Sequence, residues 1–309
     1  MKHLVKRFIQ LVPVLFGVSL LIFFLSRGPT DPALLLLGQE ATEEQLTSLR
    51  HTLGLDLSLA EQYIRWLGNA LRGDLGKSYL YGNPVVKELA SRFPATLLLA
   101  VSGVLVTLGL GVPAGILAAI NHRKRLDYLV LALSLIGVSM PVFLLGFLLI
   151  WILSYKLPLL PTAGWGGLEH LVLPTLAVGL PTAAVVTRLT RTSMLEVMHQ
   201  DYVRTARAKG IKEYAVIVRH ALRNALIPVV TIAGLQFGFL LNGSIVTEQV
   251  FAWPGIGSLM VNAVSLGDYP VIQGATILFT IMFVGVNLGV DLIYGVLDPR
   301  VDLAGKGGG

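Results

Sequence analysis

The chain has 309 residues, of which 54% are hydrophobic and 14% are charged, and its mean hydropathy is +0.73. So few charged residues cannot cover a water-soluble domain of this size, and the composition therefore indicates an integral membrane protein. Cysteine is absent, which excludes disulfides and thiolate metal sites. The formal charge of +6 comes from basic residues beside apolar runs, and no nucleic-acid-binding motif accompanies them, so the charge does not indicate a nucleic-acid-binding protein.

The first predicted element is a transmembrane helix within residues 1–26. Its apolar run, 8–25, is long enough to cross a bilayer core of about 30 Å, and Lys2, Lys6 and Arg7 precede it. Since no small-residue cleavage site follows, we interpret it as a retained helix with its basic end in the cytoplasm and not as a signal peptide.

Residues 27–94 form the one long polar region, and we expect them to build a compact external cap packed on the membrane helices. Helix signals stand at Thr42-Glu43-Glu44-Gln45 and across 59–71. Gly76-Lys77-Ser78 has the ending of a phosphate-binding loop, but that loop requires a glycine five residues earlier, where Leu71 stands. The sequence therefore predicts a tight turn there and not a nucleotide site.

Residues 95–309 carry the remaining five of six predicted spans in an all-α fold: about 95–120, 128–155, 171–189, 225–247 and 271–297. Pro141 lies inside the third span, and Pro174 and Pro181 are expected to interrupt the fourth. Of the 24 Lys and Arg residues, 16 fall in segments assigned to the cytoplasm and 8 outside, which predicts that both termini lie inside. Close helix packing, within the chain rather than between two copies, is predicted at three G-x-x-x-G pairs: Gly111/Gly115, Gly234/Gly238 and Gly285/Gly289.

Polar side chains in the later spans are candidates for a translocation pathway. Asn242 and Asn287 are candidate pore-lining residues, because neutral amides can contact a passing peptide bond without a stranded charge. Asp291 is interpreted as the one carboxylate deep enough in a span to matter. It is either a proton or ion relay or, as its distance of about two turns from the basic end favours, an anchor that snorkels or pairs with an arginine.

The cytoplasmic loop 190–224 is strongly basic, and six of the 24 Lys and Arg residues lie between Asp201 and Gln236. Asp201 is predicted to cap a short helix containing Ala206 and Ala208, which Gly210 ends in a left-handed conformation. Pro228 is expected near the start of the next span, where a missing N–H costs little. A second helix is predicted from Lys212, with one face formed by Tyr214, Ile217, Val218, Ala221 and Leu222.

This loop resembles the cytoplasmic coupling loop, or EAA loop, of bacterial ABC-importer permeases. The segments D-Y-V-R-T-A-R-A-K-G and R-H-A-L-R-N-A-L-I-P are similar to the dipeptide and oligopeptide subfamily almost residue for residue. Of the general motif, Glu-Ala-Ala followed by Gly and later Pro, only Ala206 and Gly210 match, since Arg204, Thr205 and Arg223 occupy the other positions. That departure counts against a sugar or phosphate permease and not against a permease.

The outer loop 248–268, which contains E-Q-V-F-A-W-P-G-I-G-S-L-M, also resembles the subfamily. Pro254, Gly255 and Gly257 are expected to force a sharp turn. The side chains of Phe251, Trp253, Ile256, Leu259 and Met260 are expected to form an apolar surface. In relatives such a loop faces the substrate-binding protein and contributes to the outer gate, while an interfacial anchor is the alternative.

The resemblance implies a first-permease (B-type) subunit of a peptide importer in the bacterial inner membrane. The implied partners are a second homologous permease, two ABC ATPase subunits that use ATP and Mg²⁺, an external peptide-binding protein and the lipid bilayer, without nucleic acid. This chain itself would bind no cofactor or metal and would not be an enzyme. The residues implied in ATPase coupling are Asp201, Tyr202, Arg204, Thr205, Ala206, Arg207, Lys209 and Gly210.

Other functions remain open at this point. The same machinery could import nickel chelates, glutathione or oligosaccharides. An ion-coupled secondary transporter would require several intramembrane carboxylates and a repeat, and an intramembrane enzyme would require a nucleophile or a metal motif such as H-E-x-x-H. The sequence shows one marginal Asp, no repeat and no such motif.

Overall fold

The computed structural model describes residues 2–26, 31–38 and 40–297, and these residues confirm the all-α fold. No β-strand occurs within these ranges, which include an isolated antiparallel bridge between Lys77 and Pro84. The helices are α1 Lys2–Ser26, α2 Pro32–Leu37, α3 Glu43–Thr52, α4 Leu59–Ala70, α5 Val85–Ile120, α6 Arg125–Ser139, α7 Val142–Leu149, α8 Leu168–Met198, α9 Asp201–Ala208, α10 Glu213–Ala215, α11 Arg223–Gly243, α12 Ile245–Val250, α13 Ile256–Leu266 and α14 Tyr269–Leu297. Two π-helical segments, Ile150–Lys156 and Val216–Leu222, continue α7 and join α10 to α11.

Among the described residues, four helices are long and apolar enough to cross a membrane. They are α5, α8, the continuous run Glu213–Leu241 and the part of α14 between Tyr269 and Val290. The pair formed by α6 and the helix Val142–Lys156 would be a fifth span if its bent halves cross together. The sequence-based count of six spans therefore stays a prediction.

The third predicted span is not one straight helix, because the chain bends by 107° between α6 and α7. Met140 has an extended backbone (φ −84°, ψ 124°) directly before Pro141. A proline ring disfavours the helical conformation of the residue before it, which accounts for the break at this position. The fourth span shows the opposite error, since α8 runs through Pro174 and Pro181 without interruption. Packing against neighbouring helices allows membrane helices to tolerate proline in this way.

The predicted close helix approach within the chain is confirmed at three glycines. A Cβ atom added to Gly115 would lie 2.5 Å from Thr190 Cβ of α8, and one added to Gly111 would lie 2.8 Å from the Ala183 oxygen of α8. Gly234 is packed against Val290 of α14. Gly285 and Gly289 have nothing within 4 Å of such an atom in the described part of the chain, so that pair does not mark an intrachain contact.

The chain divides into two compact units, residues 1–96 with 254–284 and residues 97–253 with 285–309. In the first unit the predicted helix signals are confirmed, since Thr42 and Gln45 form a reciprocal capping box at the start of α3. Ser58 and Glu61 form a second capping box at the start of α4, and their hydrogen bonds lower the pKa of the Glu61 carboxyl. The predicted turn is confirmed at Gly76, which has φ +83° and donates its N–H to Asp74 Oδ1 at 2.9 Å.

A fully buried carboxylate, Asp268, holds the end of this turn to the segment before α14. It accepts hydrogen bonds from the Ser78 hydroxyl at 2.5 Å and from the N–H groups of Tyr79 and Leu80 at 3.1 and 3.3 Å. Three donors converging on one carboxylate replace the water that it loses on burial. The described residues between α1 and α5 therefore form helices and turns with tertiary contacts and are not an extended linker.

Candidate functional site

The basic segment after α8 forms a compact elbow, defined as α9, the turn 209–212 and α10. The sequence suggested that Asp201 caps α9, but it does not. Gln200 occupies the N-cap position with an extended backbone and no side-chain hydrogen bond, and Asp201 is the first helical residue. A carboxylate in the first turn still stabilises the positive end of the helix dipole.

Gly210 ends α9 in the predicted left-handed conformation, with φ +75°. The N–H of Gly210 donates to the carbonyl of Arg207 at 2.9 Å, and the N–H of Ile211 donates to the carbonyl of Ala206 at 3.4 Å. These two bonds constitute a Schellman motif, which satisfies carbonyls that the helix end would leave free. The direction in which the chain leaves α9 is therefore set by its backbone.

The inner face of α9 is apolar and buried within the elbow. Val203 and Ala206 pack with Val216, and Val197 of α8 and Ile211 cover this cluster. Ala206 is one of the residues that the resemblance implies in ATPase coupling. Because only 6% of Ala206 is exposed, it holds α9 in place and is not free to contact a partner.

The outer face of α9 is polar and charged. Asp201, Tyr202, Arg204, Thr205 and Lys209 are exposed on it. Arg207 makes a bidentate ion pair with Glu213 of α10, at 2.7 and 3.1 Å, which closes the elbow and raises the pKa of the Arg207 guanidinium further above its usual range. The elbow thus presents exposed cations and hydroxyl groups on a helix whose inner face is packed.

The second predicted helix forms, and three residues of its predicted face, Ile217, Ala221 and Leu222, pack in one apolar cluster, but two do not. Val216, Ile217 and Ala221 are buried, whereas Tyr214 and Val218 are 78% and 42% exposed. The π-helical segment Val216–Leu222 explains the difference, because its wider turn shifts the side chains away from the regular helical spacing assumed from sequence. Pro228 lies inside α11 and not at the start of a helix, because the helix continues without a break from Glu213.

Three sets of contacts hold the helices near the elbow together, and the first of them includes the elbow itself. The amide of Asn224 in α11 donates to the Tyr202 hydroxyl at 2.7 Å. An apolar cluster of Ala119, Met194, Ile217, Ala221 and Ala225 joins the ends of α5, α8 and α11. A buried ion pair joins α8 to α6.

The ion pair is formed by Asp127 near the start of α6 and Arg191 near the end of α8. Asp127 is 1% exposed and accepts two hydrogen bonds from the Arg191 guanidinium, at 2.5 and 2.8 Å. It also accepts from the backbone N–H of Arg123 at 2.9 Å, and His122 lies 3.4 Å away. Arg123 has φ +63°, which is uncommon for a residue other than glycine. The carboxylate therefore also fixes the short basic loop between α5 and α6.

Sequence reasoning missed this carboxylate and two others. Asp127, Glu248 and Asp268 are all buried, and Glu248 accepts from the Ser244 hydroxyl at 3.1 Å. None of the three lies inside a predicted span, so the interpretation of Asp291 as the one carboxylate deep in a span stays a prediction. A lone acid following Arg123-Lys124-Arg125 was the available signal for Asp127, because an acid in the first turn of a helix is favourable beside cations. Asp268 gave no such signal, since its hydrogen-bond donors come from Ser78, Tyr79 and Leu80, far away in sequence.

The proposed pore residues are only partly placed. The side chains of Asn242 and Asp291 lie outside the described part of the structure, as does the segment Asp298-Pro299-Arg300. Asn287 is half-buried on α14. Across the described residues, no group of three or more His, Cys, Asp or Glu side chains lies close enough to hold a metal ion.

The outer segment after α11 differs from the expected exposed loop. It contains α12 and α13, and Phe251, Trp253, Ile256 and Leu259 are at most 2% exposed, so they are core residues and do not form an interfacial surface. Trp253 packs edge to face against Trp165, with ring centroids 4.7 Å apart, and the N–H of Gly164 donates to the carbonyl of Phe251 at 2.8 Å.

The sharp turn in this segment also differs in detail from the prediction. Its left-handed residue is Ala252, with φ +47°. Gly255 is extended and precedes α13, and Gly257 is already helical, so neither glycine supplies the unusual backbone angle. Pro254 lies between the left-handed residue and the helix and is half-buried.

Comparisons with known proteins agree on the type of protein. Residues 111–303 match the family described as binding-protein-dependent transport system inner membrane component, and residues 1–100 match the N-terminal component of the same system. The chain is 45% identical to the glutathione transport system permease protein GsiC of Escherichia coli strain K12 and of Shigella flexneri, over 97% of this chain and 99% of each relative.

Two solved structures share the fold. The MetNI methionine ABC transporter in an inward-facing conformation matches with a TM-score of 0.59 and 19% identity, covering 68% of this chain and 96% of that one. An amino acid ABC transporter with histidines matches with a TM-score of 0.54 and 14% identity, covering 67% and 93%. At such identities the likeness concerns the fold alone.

Proposed function

The chain belongs to the family of binding-protein-dependent transport system inner membrane components as an ABC-importer permease subunit, and we propose that it carries short peptides across the bacterial plasma membrane. The observation that carries this proposal is the 45% identity, over almost the full length of both chains, to a permease for glutathione. Glutathione is itself a tripeptide, so the relatives and the peptide-type loop sequence favour the same class of cargo. Glutathione is accordingly the second candidate substrate.

The proposed assembly contains this chain, a second homologous permease, two ABC ATPase subunits and an external binding protein. ATP with Mg²⁺ is bound and hydrolysed by the ATPase subunits, and this chain contributes half of the translocation pathway. The exposed face of α9, with Tyr202, Arg204 and Lys209, seats in a cleft of one ATPase subunit. When the ATPase subunits close on ATP, the force on the elbow moves α8 and α11. This movement switches access to the pathway from one side of the membrane to the other.

The transport proposal is tested with the natural complex. The tagged chain is purified from its native membrane with the proteins that accompany it, identified by mass spectrometry, and reconstituted into liposomes with ATP trapped inside. We expect ATP-dependent uptake of labelled dipeptides that requires the binding protein. Uptake of glutathione but not of dipeptides would identify glutathione as the substrate and leave the ABC-importer proposal intact. Uptake driven by a proton gradient without ATP would refute an ABC importer.

The coupling role of the elbow is tested by Gly210→Val. A β-branched residue at φ +75° carries a strain of roughly 1–2 kcal/mol, which should turn the chain after α9 away from its direction. Gly73→Val is the matched control, since Gly73 has φ +84° and, like Gly210, has nothing within 4 Å of an added Cβ. We expect Gly210→Val to lose stimulated ATP hydrolysis and uptake while the complex still assembles. Equal activity of the two variants would show that the elbow does not couple.

The proposed topology has six spans with both termini in the cytoplasm. Reporters active on only one side of the membrane, fused after Gly38, Arg123, Gly166, His199 and Gly267, should read outside, inside, outside, inside and outside. A cytoplasmic signal at Gly38 would refute the assignment of α1. Matching signals at Gly166 and Arg123 would show that the bent helix pair is re-entrant and not a span.

A further inference from the structure

Helix α4 packs against α1, the first proposed membrane helix, and this contact is aromatic and buried. Tyr63 and Trp66 of α4 lie against Phe23, with ring centroids 5.3 and 5.7 Å away, and Tyr63 also meets Phe16 at 6.2 Å. The Tyr63 and Ser19 hydroxyl groups share a buried hydrogen bond of 2.9 Å. The contact therefore extends over two turns of α1.

Because α1 is proposed to span the membrane, this contact is placed at the depth of the bilayer core. Helix α1 ends at Ser26, and Ser19 is seven residues earlier, so at a rise of about 1.5 Å per residue Ser19 is roughly 10 Å below the end. Half of a hydrocarbon core is about 15 Å thick. A helix whose Tyr63 binds Ser19 therefore cannot lie wholly in the water above the membrane.

The remaining surface of α4 has two distinct faces. At roughly 100° per residue, continued through the C-cap Leu71 to Arg72, the residues Glu61, Arg65, Asn69 and Arg72 form a polar arc away from α1. Between that arc and the buried face, Ile64 and Leu71 form an apolar strip, and they are 67% and 81% exposed. A strip of this kind beside a row of cations is the pattern of helices that lie in the membrane interface.

We propose that α4 lies in the outer boundary of the bilayer, with Ile64 and Leu71 against acyl chains and Arg65 and Arg72 among lipid phosphates. The site thus binds lipid and is not the upper surface of a water-exposed cap. Lipid is favoured over an external protein because the aromatic contact with α1 places α4 at a depth that a soluble protein does not reach. The long stems of the two arginines allow their charges to reach the headgroups while the strip stays in hydrocarbon.

The absence of cysteine from the sequence makes the test direct. Ile64→Cys and Arg65→Cys are each labelled with an environment-sensitive fluorophore and reconstituted, in the full complex, into vesicles of phosphatidylethanolamine and phosphatidylglycerol. The two positions are neighbours at nearly the same depth but on different faces. We expect the Ile64→Cys label to be quenched by lipids brominated on their acyl chains and severalfold less by aqueous iodide than the Arg65→Cys label.

Leu71→Cys and Arg72→Cys repeat the comparison about two turns further along the chain, in case a label at position 64 disturbs folding. Equal quenching by iodide within both pairs would overturn the proposal and restore a cap in water. Protection of the apolar strip that appears only when the binding protein is added would also overturn it, in favour of protein docking. Neither outcome depends on whether the complex carries peptides.

Discussion

Removing the negative charge of Asp127 should destabilise the cytoplasmic half of the permease more than any comparable change of an exposed charge. Asp127→Asn keeps the size and most of the hydrogen-bonding capacity of the side chain. It leaves the Arg191 guanidinium, whose side chain is only 16% exposed, beside a neutral amide. It also weakens the bond from the N–H of Arg123, the residue with a left-handed backbone.

The size of the effect follows from burial. Breaking a buried ion pair by removing one partner costs roughly 3–5 kcal/mol, because the other charge stays buried without compensation. Arg191 retains some access to water and has His122 Nδ1 at 3.1 Å, so we expect the lower end of that range, about 3 kcal/mol. Arg191→Lys should cost less than Asp127→Asn, because the ammonium keeps the charge and loses only the bidentate geometry.

The assay is the apparent melting temperature of the purified protein in detergent, with Arg188→Gln as the matched control. Arg188 lies one turn before Arg191 on α8 and is exposed, so its replacement should change the melting temperature little. Replacing both members of the pair by Leu and Met should recover much of the loss, since an apolar pair leaves no lone charge. If Asp127→Asn unfolds no earlier than Arg188→Gln, the ion pair does not stabilise this region and the reasoning fails.

Three further changes test packing elsewhere. Ala206→Asp places a carboxylate in the apolar cluster of the elbow and should lower the free energy of unfolding by about 1–3 kcal/mol, measured as faster proteolysis. The control Ala208→Asp changes an exposed residue, and that variant should be cleaved at the rate of the parent protein. Gly115→Ala puts a Cβ 2.6 Å from a backbone oxygen of α8 and should lower the melting temperature by the equivalent of roughly 1–3 kcal/mol, whereas Gly109→Ala, with open space, should not; equal effects would contradict the packing. Asp268→Ala strands a hydroxyl and two N–H donors at roughly 1–3 kcal/mol for each, so a stability change within about 0.5 kcal/mol would refute its role.

Local chemistry accounts for what the sequence predicted correctly. The capping signal at Thr42, the left-handed Gly210 and the turn at Gly76 each depend on side chains or backbone angles within a few residues. The apolar runs also located the long helices, because their length and composition are read directly from the chain. The bend at Met140-Pro141 belongs to the same class, although the sequence offered it only as a proline inside a span.

The errors arise where the structure depends on distant parts of the chain. Trp253 and Phe251 look like an exposed apolar loop until the segment that contains Trp165 and Gly164 covers them. Asp268 looks like an ordinary loop acid until residues 78–80 supply its donors. The set of side chains that the helix after Lys212 buries depends on the π-helical segment Val216–Leu222. No residue pattern in that segment predicts a π-helix. Hydropathy and spacing carry no information on such contacts.

The contacts around the elbow constrain how a force on α9 can spread. Tyr202 is tied to α11 through Asn224, while Arg191, ten residues before α9, is tied to α6 through Asp127. The apolar cluster at the ends of α5, α8 and α11 includes Met194, three residues after Arg191, and Ala225, the residue after Asn224. A packed cluster with ion-paired and hydrogen-bonded neighbours resists continuous deformation. A displaced α9 must therefore move the ends of these helices with it, or the hydrogen bond or the ion pair must break. An uncoupling variant at Asp127 that leaves α9 itself unchanged would therefore separate transmission through the helices from docking of the elbow.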